Sequence, residues 1–171
     1  MILETERLKL TPVTVEDGPL IHPIMADPEV MAHMDSVAID DPDVVEAFIH
    51  GQLVEMANEQ AFYWSVRLAD GGRYLGSVDL SDIDWRHSRA EIGFILGKDA
   101  WGKGYGYEAV QAVLGHAATL GFKRLWARTH VGNAASEALL RKLGFEEEGY
   151  LRGHVDREGE RRDCRLWGLL L

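Results

Sequence analysis

The feature that most constrains this chain lies between Leu96 and Leu120, where an apolar strand gives way to the loop Trp101-Gly102-Lys103-Gly104-Tyr105-Gly106 and the loop opens into a helix. Glycines at alternate positions let the backbone approach a ligand closely and reach positive φ, while the N–H groups of a first helical turn have no partner within the helix. Such a helix start is a ready anion site. Ala109, Val110, Val113, Leu114, Ala117, Ala118 and Leu120 recur at the spacing of one helical face, and Gly121 supplies a stop.

Several kinds of protein place glycines at such a junction. Gly97 to Lys103 satisfies the first seven positions of a nucleotide-hydrolysing P-loop, but the next residue is Gly104, so the hydroxyl that would hold Mg²⁺ is missing. A dinucleotide fold would place an acidic residue at the end of the following strand. That strand, over Leu125 to Thr129, ends in Thr129-His130-Val131 with no carboxylate. A glycine-rich turn that only lets a strand pack on a helix also stays open. Downstream, Asn133 to Phe145 reads as a short helix with Asn133 as N-cap and Gly144 as stop.

A glycine loop between strand and helix, followed by a strand and then Asn-x-x-Ser…Gly-Phe, resembles the GNAT superfamily of acyl-CoA N-acyltransferases. Trp101 to Ala109 and the opening Thr5-Glu6-Arg7-Leu8-Lys9-Leu10 are similar to its RimJ/RimL branch, and the similarity runs from about Leu3 to the last strand. The resemblance implies an α/β fold of mixed α+β type, with a central, mostly antiparallel sheet flanked by helices.

The rest of the chain agrees with that class. Its 171 residues suit one domain, 1–171, able to bury roughly 70% of the unfolded surface. No targeting peptide and no apolar run of ~20 residues is expected, and the single Cys164 excludes an intrachain disulfide or a multi-cysteine zinc site. These features suggest a reduced, cytoplasmic setting, no metal and no membrane partner. The periodicity predicts a strand over Arg7 to Leu10 stopped by Pro12, a short or broken helix in Val13 to Met25, and a helix over Val44 to Met56. Strands follow at Phe62 to Leu68, Tyr74 to Asp84 and Arg89 to Leu96 as a meander. Two more, Phe145 to Leu151 and Asp163 to Leu171, are joined by a charged connection, Arg152 to Arg162.

Charge is uneven. Residues 1 to 66 carry 13 acids against 2 bases, whereas residues 67 to 171 carry 15 against 16, so the whole net charge of −10 comes from the first third. Concentrated negative charge repels nucleic-acid backbones and attracts cations, although an acidic stretch can equally be a solvated surface. In the family resembled, the segments between the first two main strands wall the acceptor groove, which would set this acidic third beside an incoming amine.

Amide formation sets the remaining expectations. An aliphatic amine near pKa 10.4 has its lone pair free in only about one molecule in two thousand at pH 7, a deficit of roughly 4–5 kcal/mol that a base relieves. A thiol near 8.5 leaves more easily. Glu91, on the strand entering the loop, is the first candidate base. It could instead be a strand carboxylate satisfied by Arg67 or Arg89, with Asp79, Asp82 and Asp84 as weaker candidates and His33, His87, His130 and His154 also able to titrate.

For the donor, many GNAT proteins carry Tyr seven residues after the Asn, where this chain has Leu140. The RimJ/RimL pattern instead implies Ser136, which would steady the departing thiolate; as an N3 residue it could also merely cap its own helix. The same resemblance implies acetyl-CoA as co-substrate. Backbone groups of Phe94, Ile95 and Leu96 would bind the acyl and pantetheine part, and the amides of Trp101, Gly102, Lys103, Gly104, Tyr105 and Gly106 the diphosphate. Lys103 would add charge. Asn133 is either cap or cofactor contact.

The resulting expectation is an acetyl-CoA-dependent N-acetyltransferase acting on a primary amine, a small cationic molecule or a protein N-terminus, by direct attack, as monomer or homodimer. A degenerate acyl-CoA-binding sensor or partner-binding module is the alternative.

Overall fold

In the computed structural model, which describes residues 1–171, the chain forms eight strands and four helices. The strands are β1 (Leu3–Glu4), β2 (Leu8–Pro12), β3 (Phe62–Leu68), β4 (Tyr74–Asp84), β5 (Arg89–Leu96), β6 (Arg124–His130), β7 (Glu146–Arg157) and β8 (Glu160–Leu170). The helices are α1 (Gly18–Met25), α2 (Pro42–Ala57), α3 (Tyr105–Thr119) and α4 (Ala134–Lys142). All strands belong to one sheet of order β1-β2-β3-β4-β5-β6-β8-β7. Every neighbouring pair is antiparallel except β5 and β6. A parallel pair needs a crossover, and α3 supplies it.

Alternation along the strands sorts the sheet into two faces. On one face Leu8, Leu10, Val66, Val78, Leu80, Ala90, Ile92 and Leu125 join Ala109, Val110, Val113 and Ala117 of α3 and Leu140 of α4 in the main core. Trp64, Trp167 and Phe122 are its largest fully buried side chains, each contributing roughly 1.5–3 kcal/mol by burial. On the other face α1 and α2 bury a smaller cluster, Val13, Ile21, Met25, Met31, Val45 and Ile49, against Tyr63, Tyr74 and Ile95.

Two expectations need correction. Pro12 does not stop β2 short: it is the last paired residue, opposite Trp64, where a missing N–H is tolerated. The stretch Arg152 to Arg162 is not a loop but the continuation of β7 and β8 around a two-residue turn, Glu158-Gly159, whose φ values of 52° and 86° match the twist of a tight hairpin. Its charges hid the strand period. The extended hairpin reaches back over the first third, where the Arg157 guanidinium donates to the carbonyls of Met31 and Ala32 at 3.0 Å each. No helix is long and apolar enough to cross a membrane.

Candidate active site

β5 and β6 pair only from Arg89↔Arg124 to Glu91↔Trp126, although β5 runs on to Leu96 and β6 to His130. Beyond Glu91 the two strands therefore diverge, and a cleft of about 690 Å³ opens at the wedge. Phe94, Ile95 and Leu96 line it from β5, Trp101, Gly102, Gly104 and Gly106 from the loop, and Asn133 and Ser136 from the start of α4. Of the residues expected at the site, Glu91, Lys103 and Tyr105 lie outside this lining.

The loop is an open cradle. None of the backbone N–H groups from Gly102 to Tyr107 donates to another protein atom, and Gly104, the N-cap of α3, offers no side-chain cap. Trp101 differs from the expectation: its N–H already bonds the Lys98 carbonyl at 3.1 Å, and its indole N–H bonds the Leu96 carbonyl at 2.8 Å. The Leu96 carbonyl is thus engaged within the chain. The glycines divide their roles. Gly102 and Gly104 have φ of 69° and 80°, a region other residues avoid. Gly106 instead permits close approach, since a Cβ there would lie 3.0 Å from Leu139 and 3.3 Å from Leu96.

The back of the loop is held by the chain's beginning. Thr5 Oγ1 and the Arg7 amide donate to one oxygen of Glu108 at 2.6 and 2.9 Å, and Arg7 Nε donates to the other at 2.6 Å. Burial alone pushes the Glu108 pKa up, but the bonds from Thr5 and Arg7 outweigh it and hold the carboxyl below its ordinary value. Arg7 also stacks over Tyr105, 4.8 Å from the ring centre. Lys103 turns its ammonium onto the Asp99 carbonyl at 2.7 Å rather than into the cleft. The cation that does line the cleft is Lys142, 4.5 Å from the centre of the Tyr107 ring. In the sequence Lys142 reads only as a basic residue ending a helix, where it also suits the dipole.

At α4, the Asn133 side-chain oxygen accepts the Ser136 N–H at 3.2 Å, the expected cap, while both residues also face the cleft. Leu140, standing where many relatives have Tyr, is fully buried in the main core and does not reach the cleft. A hydroxyl is therefore available near the wedge from Ser136.

On the α1/α2 face, polar groups gather where the strands part. Glu91 is paired, as one expectation held, but by Arg128 of β6 rather than by Arg67 or Arg89, with Nε 2.9 Å from Oε1. Arg67 is instead bound to buried Asp17, and Arg89 to Asp84. Arg128 and His130 both meet Asp35, at 3.5 and 2.9 Å. Burial raises the Glu91 carboxyl above its ordinary value despite the guanidinium.

Asp79, facing Gly93 across β4 and β5, is more strongly perturbed. Burial, reinforced by the charges of Glu91 and Glu55 and opposed by a 3.0 Å bond from Ser81, pushes its pKa up to about 7. A Cβ at Gly93 would sit 2.6 Å from its carboxylate, so a larger residue there would have to displace the Asp79 side chain. Tyr63, paired with Asp79 in register, donates to Glu55 at 2.6 Å. His33 lines the cleft, with burial holding its pKa below the ordinary value, whereas His87 and His154 are exposed elsewhere. Asp82 is exposed on the bulge after Ser81.

A family model described as an acetyltransferase (GNAT) domain matches residues 7–146. The uncharacterized N-acetyltransferase p20 of Bacillus licheniformis is 32% identical over 174 residues, an alignment covering 98% of this chain and 95% of that protein. Among solved structures, RimL, the ribosomal L7/L12 alpha-N-protein acetyltransferase, superposes with a TM-score of 0.91 at 19% identity, covering 100% of this chain and 94% of the other. Spermidine N-acetyltransferase from Vibrio cholerae, in complex with CoA and spermine, superposes at 0.85 and 22% identity over 97% and 96%. Likenesses at these identities speak for the fold.

Proposed function

The chain belongs to the GNAT acetyltransferase family, and from that premise we propose that it transfers an acetyl group from acetyl-CoA to a primary amine by direct attack. The observation that carries the reading is the run of unpaired amides from Gly102 to Tyr107 at the mouth of the β5/β6 wedge. These N–H groups, on glycine-rich backbone at a helix start, form an anion cradle, and the cleft leading from it offers mostly apolar walls to a pantetheine arm.

In this reading acetyl-CoA supplies a thioester, whose carbonyl carbon forms the new C–N bond as its C–S bond breaks. Asp79 takes the proton from the incoming ammonium: at about 7, its pKa lies much nearer that of an amine than an ordinary carboxyl does. This moves the leading base from Glu91 to Asp79. Glu91, engaged by Arg128, acts through its negative charge, which raises Asp79 and attracts a cation. The Ser136 hydroxyl steadies the departing thiolate. Lys142 offsets phosphate charge at the cleft rim.

We take the acceptor to be a cationic amine, since the charges of Glu55 and Glu91 both act on Asp79 and the net negative charge lies in the first third of the chain. The relatives named for ribosomal protein and spermidine acetylation are consistent with either a protein N-terminus or a small polyamine. Family placement among acetyltransferases favours turnover over a binding-only module. Incubating the protein with acetyl-CoA and an amine panel, read by mass spectrometry, tests the proposal: acetylated cationic amines are expected, and no acetylated product from any acceptor overturns it.

A further inference from the structure

Within the anion cradle, one peptide plane is left undetermined by the local chain. Gly104 has φ of 80° and, lacking a Cβ, tolerates the opposite sign equally well, so the peptide joining Lys103 to Gly104 is free to flip. In a trans peptide the C=O and N–H point in opposite directions. If the Lys103 carbonyl faces the back of the loop, the Gly104 N–H faces the cleft. If the plane flips, an oxygen replaces a donor in front of the phosphates.

We propose that Arg7 is the positioning residue that fixes this plane, and that Thr5 and Glu108 hold Arg7 in place to do so. Arg7 Nη1 donates to the Lys103 carbonyl at 3.0 Å from behind, and the Gly104 N–H on the same peptide is unpaired in a residue that lines the cleft. The guanidinium is itself fixed at several points. Glu108 receives Nε, Tyr105 lies under the plane, and the Arg7 backbone N–H is bound to the same carboxylate. Thr5 Oγ1 completes the arrangement by donating to Glu108 at 2.6 Å.

The pairing has a second effect. Glu108 stands in the first turn of α3, where an uncompensated carboxylate would repel an arriving diphosphate; the Arg7 charge cancels it and leaves the helix start attractive to anions. Strand β1 and its turn are thereby linked to cofactor binding, although neither reaches the cleft. Arg7 and Lys103 are 96 positions apart.

The proposal rests on the diphosphate reading of the loop, and the test separates the two. The ¹⁵N-labelled protein is titrated with CoA and, separately, with pantetheine, which carries the thiol arm without the diphosphate, following the Gly104 amide. The variants are Arg7→Met, which keeps the stem over Tyr105, and Arg7→Lys, which keeps the charge but not the planar fork, so one remains if the other fails to fold. The expected result is a downfield shift of the Gly104 N–H with CoA in the native protein, reduced or absent in both variants. The CoA dissociation constant should rise about tenfold, the loss of one oriented donor to a charged group, while pantetheine binding stays unchanged.

Unaltered CoA affinity in a folded variant, or equal weakening of CoA and pantetheine, overturns the role of Arg7 while leaving the cradle intact. A native protein whose Gly104 amide does not respond to CoA overturns the cradle reading, and with it this inference.

Discussion

Replacing Asp79 by asparagine should make the protein more stable and less active, each in a pH-dependent way. Its carboxyl titrates near 7 in the folded chain against an ordinary 3.8, so folding holds the proton across that interval while the unfolded chain releases it. The folded state then binds more protons, and native stability falls as pH rises from about 4 to about 7. At 1.36 kcal/mol per pH unit the full difference is about 4 kcal/mol. Solvent reaching the half-buried side chain reduces this, and about 2 kcal/mol is the figure expected.

The substituted amide keeps the Ser81 bond and has no charge to bury. The D79N variant should therefore melt roughly 4–8 °C above the native protein at about pH 8.5, and the gap should close by about pH 4. Its turnover should drop by about 10²–10⁴, the usual contribution of a general base, and the limb of kcat/KM near pH 7 should disappear. Calorimetric melting at several pH values and a thiol-release assay measure both. Equal melting temperatures in the alkaline range, or turnover within about threefold of native, would refute the reasoning that assigns Asp79 a desolvated, proton-accepting role.

Glu91→Gln should change stability less than D79N does, because burial of the carboxylate already outweighs its pairing with Arg128; a loss of more than about 2 kcal/mol in an alkaline melt would refute that balance. Gly104→Glu should abolish CoA binding in calorimetry by placing bulk and negative charge before the phosphates and by straining a backbone φ of 80°; unchanged affinity would show that the loop holds no diphosphate. Ser136→Ala keeps the backbone N–H that Asn133 caps, so CoA affinity should hold while turnover falls about tenfold, as the loss of one hydrogen bond to a thiolate implies.

Much of the glycine loop and the helices that flank it was legible in the order of residues. Local chemistry made it so: the loop glycines, the Asn133 cap and the apolar stripe of α3 act over a few positions, and each stands where pattern alone located it. Three details were not visible. The Trp101 amide is consumed by a 3₁₀ turn, the Lys103 side chain folds back on Asp99, and the cleft receives Lys142, from the far end of a different helix.

The carboxylates proposed to face the acceptor depended on pairings between distant segments. Glu91 and Asp79 are both strand carboxylates, indistinguishable by spacing. Register sets a glycine opposite Asp79, and an Arg128 side chain from β6 reaches Glu91, so that Glu91 is held as an ion pair while Asp79 is the more strongly desolvated. Likewise Thr5 and Arg7 announced a family pattern, but their grip on Glu108 and Lys103 exists only once α3 has crossed the sheet. Backbone conformation is set by neighbours in the chain and so can be read along it. Burial and charge pairing are set by neighbours in space, and only the folded sheet decides those.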